Sequence, residues 1–411
     1  MQRDELSAWL RLTLTAGVGN GTARRLLSAF GLPQQIFAQP EDGLRAHATA
    51  AQARALCTEP PSLAALVATT WQWLHGTPPE GEADGAPVRR IVTLGDAAYP
   101  PALLTIEDPP LLLYLMGAAQ WLDGEGPSRW PLDRCLAIVG SRNPTAQGAD
   151  NARQFARALR STGLCIVSGL ALGVDAAAHE GALEAEPPPD GDSGGLPATL
   201  AVVGTGLDRV YPSRNLALAR HIARQGVVLS EYPLGTPPLA PNFPKRNRLI
   251  AGLSQGTLVV EAALASGSLV TARLASEQGR EVFAIPGSIH APQSRGCHAL
   301  IRQGAKLVES AQDVLEELRM PPSLVRASRP AGEFAATGNV TDDTAADPVA
   351  AESGPHGPLL SALGFDPVGL DALVARTGLD AARLQVALFE LEMEGHVARL
   401  PGGRFQRMAL G

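Results

Sequence analysis

The sequence has only four cysteines, and they are scattered along 411 residues as Cys57, Cys135, Cys165 and Cys297. No two of them form a CxxC or CxxH pair, the spacing that is typical of zinc sites and redox-active thiols. Two of the four lie inside apolar runs that read as strands. The sequence therefore predicts reduced core cysteines in a cytoplasmic protein, and it predicts no metal site.

Long apolar runs are also missing. The most apolar segment, residues 109–119, is too short to span a bilayer. The first ten residues, MQRDELSAWL, carry acids where a signal peptide needs an uninterrupted apolar stretch. We therefore expect no membrane role.

Positive charge is in deficit, because the formal net charge is −7. This balance argues against a surface that is basic overall, so a polyanion would have to bind a local positive patch. The hydrophobic fraction of 45% is ample for a folded core. The chain is long enough for two or three domains.

The motifs of common cofactor and hydrolase sites are absent from the sequence. There is no P-loop GxxxxGK[ST], no GxSxG elbow and no HExxH helix. The segment GSRNPTAQG (140–148) is not a GxGxxG fingerprint, and GTGLDR (204–209) lacks the third glycine. These differences argue against NAD, FAD and P-loop ATP hydrolysis, and we expect no cofactor.

Residues 1–75 are predicted to form a small helical domain, followed by a Pro/Gly/acid linker at 76–87. Within the helical part, LTAGVGNGTARRLLSAFG (14–31) places a Gly-rich turn before an amphipathic helix. Such a unit resembles a helix-hairpin-helix, whose backbone N–H groups can bind a DNA phosphate. An ordinary turn between two helices explains the pattern equally well.

Residues 88–320 are predicted to form the core domain and to fold on their own, because both flanking linkers are polar and Pro-rich and few contacts should cross them. Short apolar runs there alternate with helical segments such as 148–161, 213–225 and 268–278. Continuous Val/Ile/Leu runs are typical of strands buried on both faces, so we predict an α/β fold with a doubly wound, mostly parallel sheet. The predicted strands are 135–140, 164–169, 199–204, 226–231, 257–262 and 281–287. The segment 184–197 is predicted to be a mobile surface loop.

Residues 321–356 are rich in Ala, Pro and acids, which predicts a disordered linker. Residues 357–411 show three helical segments and then a hairpin that turns at Gly402-Gly403, the pattern of a winged-helix domain. Its recognition helix would present more acids than bases, so we expect it to contact protein or to stabilise a dimer rather than to read duplex DNA. The acids are Asp380, Glu390, Glu392 and Glu394, against the single Arg383.

Small residues follow several of the predicted strands. Ligands of doubly wound sheets bind beyond the carboxyl ends of the strands, where glycines allow close approach and helix N-termini offer N–H donors to anions. Each turn alone is weak evidence, since tight turns use glycine whatever the function. Together with Arg142 and the cluster KRNR (245–248), they predict a phosphate-binding rim. The turns are 140–142, 168–173, 204–206 and 266–268.

The cation cluster has a competing structural interpretation. Arg246 and Arg248 could pair with acids at strand ends, such as Glu231 or Glu261, and hold a loop in place. We expect a mixture of DNA-contacting and structural charges, with Lys245 the most exposed of the three cations.

Asp175 and His179 form an i, i+4 pair that could hold a metal or act as a base. The favoured interpretation is structural: Asp175 braces the start of the helix, and the imidazole of His179 packs against it.

Several segments resemble the bacterial DNA-processing protein A family, also called DprA or Smf. They include AIVGSRNPTAQG (137–148), VSGLALGVDAAAHEGAL (167–183) and NFPKRNRLIAGLSQGTLVVEA (242–262), and the resemblance covers about residues 90–312. It implies a Rossmann-like fold that binds single-stranded DNA and forms a homodimer. It also implies a role in protecting incoming DNA and loading the RecA recombinase during natural transformation, without catalysis.

Carried over position by position, the resemblance implies a set of DNA contacts from the turns and the cation cluster. Cations bind phosphates and an aromatic ring can stack on a base, so these residue types suit a single-strand site. The family usually has Asn where this chain has His298, so that contact is not carried over. The implied contacts are Gly140, Ser141, Arg142, Gly169, Ala171, Gly173, Phe243, Lys245, Arg246, Asn247, Arg248, Ser266, Gly267 and Ser268.

Two other functions remain open from the sequence. Nucleotide N-glycosidases of the phosphoribohydrolase kind have a related sheet, and QGTLVVEA (255–262) resembles their PGGxGTxxE motif. Here the double glycine is missing and Glu261 comes one residue late, which would turn its side chain to the opposite face of a strand. The second alternative is a scaffold that binds RecA, with only incidental contact to DNA.

Overall fold

The computed structural model describes residues 1–76, 86–122, 134–186, 196–289, 291–318, 356–363 and 367–408. The predicted linkers, 76–87 and 321–356, and the predicted loop at 184–197 lie largely outside the described residues. Among the described helices, none combines the length and the apolar character needed to cross a membrane.

In the described residues, nine strands form one sheet in the order β1-β2-β6-β5-β4-β3-β7-β8-β9. The seven strands from β6 to β9 along this order run parallel, which confirms the predicted doubly wound sheet. The strands are β1 (Val88–Thr93), β2 (Leu112–Gly117), β3 (Cys135–Val139), β4 (Cys165–Ser168), β5 (Thr199–Val202), β6 (Val227–Ser230), β7 (Gly256–Val259), β8 (Glu281–Ala284) and β9 (Lys306–Leu307).

An antiparallel pair at one edge was not predicted. β1 pairs with β2, and β2 pairs antiparallel with β6, so the sheet is mixed. β2 is buried on both faces, and its side chains therefore form a continuous apolar run. Such a run does not show whether a strand is parallel or antiparallel.

Helices cover both faces of the sheet. Alternate strand residues point to opposite faces: Leu136 and Ile138 of β3 pack with helices 146–161 and 174–184, while Val139 packs with helices 242–252 and 268–277. The helices of this part are α7 (Pro101–Leu104), α8 (Ala119–Leu122), α9 (Ala146–Ser161), α10 (Val174–Glu184), α11 (Leu216–Gln225), α12 (Asn242–Gly252), α13 (Ser268–Glu277), α14 (Arg295–Arg302) and α15 (Ala311–Glu317), with 3-10 turns at Ser213–Asn215 and Pro292–Ser294.

The N-terminal helices pack directly on the sheet. The rings of Trp73 and Tyr114 lie 6.2 Å apart, and Arg24 donates to a carboxylate oxygen of Asp108 at 2.8 Å. Leu112 and Tyr114 lie on one face of β2, and these helices bury that face. Our expectation that few contacts join the helical part to the core is therefore wrong. The helices are α1 (Arg3–Leu14), α2 (Asn20–Phe30), α3 (Pro33–Phe37), α4 (Glu41–Arg45), α5 (Ala50–Leu56) and α6 (Leu63–His75).

The C-terminal residues form a small winged-helix unit, as predicted, with a three-stranded sheet in the order β10-β12-β11. Gly402 and Gly403 both have positive φ, 82° and 69°, at the turn of the hairpin. Asp380 accepts hydrogen bonds from the Ala382 and Arg383 amides, so this acid caps the third helix. The elements are α16 (Gly357–Leu363), β10 (Val368–Gly369), α17 (Leu370–Thr377), α18 (Ala381–Met393), β11 (Val397–Leu400) and β12 (Arg404–Arg407).

Candidate nucleic-acid interface

A cavity of about 550 Å³ lies at the point where the strand order reverses. β3 has β4 on one side and β7 on the other, and this is where doubly wound sheets bind ligands. The cavity is lined by the turn after β3, the start of α12 and the turn before α13. It brings together ten of the predicted contacts, namely Gly140, Ser141, Arg142, Ala171, Phe243, Arg246, Asn247, Ser266, Gly267 and Ser268.

The turn after β3 is fixed by its backbone. The Ser141 amide donates to the carbonyl of Glu261 at 2.7 Å, and the Val174 amide donates to the carbonyl of Ser141 at 3.1 Å. The Asn143 amide donates to the Ser141 hydroxyl at 3.1 Å. Arg142 is held between these anchors with its side chain exposed, and within the described residues it forms no ion pair.

The turn after β4 supports the first turn rather than offering its amides to a ligand. Gly169 and Ala171 donate their amides to one carboxylate oxygen of the buried Asp175, at 3.1 and 3.3 Å. Burial raises the pKa of Asp175, although the nearby charge of Arg246 acts in the opposite direction. Gly173 has φ +82°, and a Cβ there would collide with the Ser141 carbonyl. Gly169 and Gly173 do not line the cavity and act here through the backbone, and their predicted contact with DNA stays a prediction.

The cation cluster lies on helix α12, and not on a loop as we expected. Phe243, Arg246 and Asn247 face the cavity, whereas Lys245 and Arg248 do not line it. Pro244 falls in the first turn of the helix, where the missing N–H has no intrahelical partner to lose. Lys245 is exposed while Arg246 and Arg248 are buried, which confirms the expected order of exposure.

Arg246 anchors α12 to the ends of two strands. Its guanidinium donates to the carbonyl of Gly169 at 2.7 Å and to the carbonyl of Val202. Burial lowers the pKa of Arg246 to about 10, and Asp175 partly offsets this effect. The expected pairing of Arg246 with Glu231 or Glu261 is therefore wrong, because its partners are carbonyls. The positive charge of Arg246 therefore lines the cavity, and hydrogen bonds to the ends of β4 and β5 fix its position.

Arg248 forms a buried ion pair with Glu231, as the structural interpretation predicted. Two guanidinium nitrogens donate to the two carboxylate oxygens at 2.7 and 2.6 Å, and Nε donates to the carbonyl of Asp108 at 3.0 Å. Burial lowers the pKa of Arg248, but the hydrogen bond and the charge of Glu231 outweigh this effect, so the pKa is raised overall. The predicted DNA contact by Arg248 is corrected, since its donors are already taken.

A cation and an aromatic ring form the rim of the cavity, and a second aromatic ring lies beside them. The Arg142 guanidinium carbon lies 5.7 Å from the centre of the Phe243 ring, within cation–π range. The ring of Tyr211 lies 5.5 Å from that of Phe243, and Tyr211 is 47% exposed. Tyr211 is not among the contacts predicted from the sequence. Its place in the turn after β5, another strand that ends at this edge, is the signal that could have found it.

The turn before α13 completes the wall. The hydroxyls of Ser266 and Ser268 lie 2.7 Å apart, and the Asn247 side-chain amide donates to the carbonyl of Gly267 at 3.4 Å. Ser268 is the first residue of α13, so the positive end of the helix dipole faces the cavity. The whole site can therefore hold an anion beside an aromatic surface.

Comparisons with known proteins cover the part of the chain that forms the cavity. The family model described as DNA recombination-mediator protein A matches residues 90–319, more than half of the chain and all of the cavity. The chain belongs to the DprA family. The model described as DprA winged helix domain matches residues 343–403.

Individual DprA-family proteins are similar over most of this chain. Protein Smf of Escherichia coli K12 is 39% identical over 318 residues, which cover 77% of each chain. DNA processing protein DprA of Streptococcus pneumoniae R6 is 47% identical over 222 residues, which cover 54% of this chain and 72% of that protein. A crystal structure of DprA from S. pneumoniae superposes with a TM-score of 0.57 and 35% identity, covering 77% of this chain and 98% of that chain.

Glu261, on which the glycosidase alternative depends, and His298, which stands where the family usually has Asn, both have partners within the protein. Glu261 accepts hydrogen bonds from the amide of Thr145 at 2.9 Å and from its hydroxyl at 2.5 Å, at the start of α9. This carboxylate, which a glycosidase would need, therefore holds Thr145, whose hydroxyl caps α9, and it does not line the cavity. His298 donates from Nε2 to the carbonyl of Gly287 at 2.9 Å.

The Asp175–His179 pair is also structural, as favoured from the sequence. His179 is fully buried, and its Nδ1 lies 2.7 Å from the hydroxyl of Thr199. Burial lowers the pKa of His179 to about 3, and the charge of Arg246 adds to this effect. In the part of the chain that the structure describes, no group of three or more His, Cys, Asp or Glu residues is placed to hold a metal ion.

Proposed function

We propose that the cavity at the β3/β7 edge binds single-stranded DNA. Arg142 would bind a phosphate and Phe243 would stack on a base. The observation that carries this proposal is the pairing of the two at the rim: an exposed guanidinium without an acidic partner among the described residues, 5.7 Å from an aromatic ring. Membership of a DNA-processing family supports the same ligand class.

The shape of the site favours a single strand over a duplex. Phe243 can stack only on a base whose face is free, and bases in a duplex are already stacked on their neighbours. The cavity is concave, and its walls are short turns, so it can admit one backbone. Its volume lies within the range of ordinary ligand pockets, about 300–1,000 Å³.

Recognition should not depend on base sequence. The polar groups at the rim are a guanidinium, hydroxyls and the start of a helix, all of which suit phosphate. Every base offers an aromatic face to Phe243. We therefore expect similar affinity for strands of different sequence and a strong dependence on salt.

We also propose that the protein acts as a homodimer that protects incoming strands and delivers them to the RecA recombinase during natural transformation, without catalysis. The support is the family, whose model carries the description recombination-mediator. Strand exchange by RecA on DNA coated with single-strand-binding protein should begin sooner when this protein is added. No change in the lag would contradict this part of the proposal.

The DNA proposal is tested by competition. A labelled oligo-dT is bound to the full chain, and unlabelled single strand or duplex of the same length is titrated in. We expect the single strand to compete at concentrations at least about tenfold lower, a difference of about 1.4 kcal/mol. Equal competition by duplex would refute the single-strand site. Release of free base from nucleoside monophosphates would instead support the glycosidase.

A further inference from the structure

The exposed face of α11 is basic although the protein is acidic. Residues 209–230 contain four arginines and one histidine but no Asp or Glu. Three of the arginines, here called the arginine stripe, are Arg214, Arg220 and Arg224, and all three are exposed. Ala219, Ile222 and Ala223 bury the opposite face of the helix. The exposed side of the helix therefore carries positive charges and no negative ones.

The charge of the arginine stripe is not neutralised by the acids of the helix packed beside it. Two exposed or half-buried acids of α10, Glu180 and Glu184, pair with Arg153 of α9. Within the described residues, the arginine stripe takes part in no ion pair, whereas the neighbouring Arg209 pairs with Asp208. A surface that only needed solubility in an acidic protein would not require three unneutralised cations in a row.

The arginine stripe begins where the cavity ends. The side-chain amide of Asn215 donates to the carbonyls of Leu170 and Ala171, at 2.9 and 3.2 Å, and so ties the start of α11 to the cavity wall. Tyr211, in the loop that leads to α11, stands next to Phe243. From Tyr211 the positive charges continue through Arg214 to α11, where Arg220 and Arg224 are one turn apart, about 6 Å along the helix axis.

We propose that a DNA single strand leaving the cavity passes over Tyr211 and continues along the arginine stripe, from Arg214 to the exposed face of α11. The inference rests on the proposed function, because it extends the same ligand beyond the cavity. Tyr211 provides a second aromatic surface for a base, and the arginines bind consecutive parts of the backbone. This surface adds affinity only when the strand is long enough to reach it.

The test compares two strand lengths. Arg214→Gln, Arg220→Gln and Arg224→Gln are combined in the full-length chain, and binding of oligo-dT of about 6 and about 30 nucleotides is followed by anisotropy across a salt series. For the long strand we expect at least about tenfold weaker binding and a salt slope lower by about 2, since each phosphate contact contributes about 0.7. The short strand, held by the cavity alone, should bind within about twofold of the parent protein.

A matched control separates the path from general charge effects. Arg3→Gln, Arg54→Gln and Arg157→Gln remove the same total charge from exposed positions on α1, α5 and α9. This control should bind both strands like the parent. Equal losses for the control and for the stripe variant, or equal losses on both strand lengths, would overturn the proposed path.

The outcomes also separate this inference from the proposed function. If the parent binds the short strand but the stripe variant binds the long strand with unchanged affinity and slope, the path is wrong and the cavity proposal stands. If the parent does not bind the short strand, the cavity proposal fails, and the long strand still tests the stripe.

Tyr211→Ala should weaken long-strand binding at least about fivefold, while Tyr211→Phe should retain it. Equal binding by both variants would exclude the contact between Tyr211 and a base.

Discussion

Removing Arg248 should destabilise the fold, because it would leave a buried carboxylate without its partner. The side chains of Arg248 and Glu231 are only 10% and 6% exposed, and two hydrogen bonds join them. Breaking a buried pair by removing one member costs about 3–5 kcal/mol. We expect Arg248→Met to lower the free energy of unfolding by about this amount.

Removing both charges should restore most of the loss. In the double variant Arg248→Met/Glu231→Leu, no charge is buried, and apolar replacements of buried pairs are often nearly neutral. Some cost remains, since the carbonyls of Asp108 and Lys245 lose their donors at 3.0 and 3.2 Å, and the Asp108 carboxylate loses the guanidinium nitrogen at 3.5 Å. That loss is about 1–2 kcal/mol, so the double variant should lie well above the single variant.

The assay is urea denaturation followed by circular dichroism at pH 7, with the slope of each transition checked for two-state behaviour. Lys245→Met is the matched control, because Lys245 lies on the same helix but is exposed; its effect should stay within about 0.5 kcal/mol. The folded double variant should bind single-stranded DNA like the parent. A single-variant loss under about 1 kcal/mol, or loss of DNA binding in the folded double variant, would refute the structural role of Arg248.

Three further predictions follow from the buried groups and the packing of the helices. Glu261→Gln should lower stability by about 1 kcal/mol, because the variant holds the α9 cap residue Thr145 less firmly, and nucleoside monophosphates should stay intact with parent and variant alike. Base release that vanishes in the variant would show catalysis. His179 has a folded-state pKa of about 3, below its unfolded value, so its contribution to folding stability is present above about pH 6.5 and is lost as the pH falls. Between pH 6.5 and pH 5, the free energy of unfolding of the parent should fall by about 2 kcal/mol more than that of His179→Asn, as measured by urea titration. Equal losses would contradict this prediction. The fragment 88–320, which we first expected to fold alone, should be less soluble than 1–320, because it exposes Leu112 and Tyr114; equal solubility and melting temperature would show that the helices are dispensable.

The sequence was sufficient to predict the parallel sheet and the edge of the sheet at which the candidate site lies. Continuous apolar runs marked β3 to β8, and small residues after β3 identified the turn that carries Arg142. Parallel strands share one carboxyl edge, so the convergence of those turns followed from topology alone. The winged-helix unit was predictable for a similar reason, since its helix order and its hairpin turn are local features.

The roles of individual charges were not predictable, because they depend on partners distant in the sequence. Arg246 and Arg248 are two residues apart on α12, yet one bonds strand-end carbonyls and the other pairs with Glu231. Asp175 takes the amides that a phosphate would otherwise use. The docking of the N-terminal helices depends on which face of β2 is left uncovered, and this depends on strand order.

The most direct test of the single-strand site is the salt dependence of oligo-dT binding by Arg142→Ala and by the double variant Arg142→Ala/Lys245→Ala. Arg142 lies at the cavity and Lys245 is exposed on α12, and neither forms an ion pair with a described residue, so melting curves should match the parent. Arg142→Ala should weaken binding and lower the salt slope by about 0.7, and the double variant should lose binding at physiological salt whatever the base sequence. A folded double variant with the affinity and slope of the parent would contradict the proposed site.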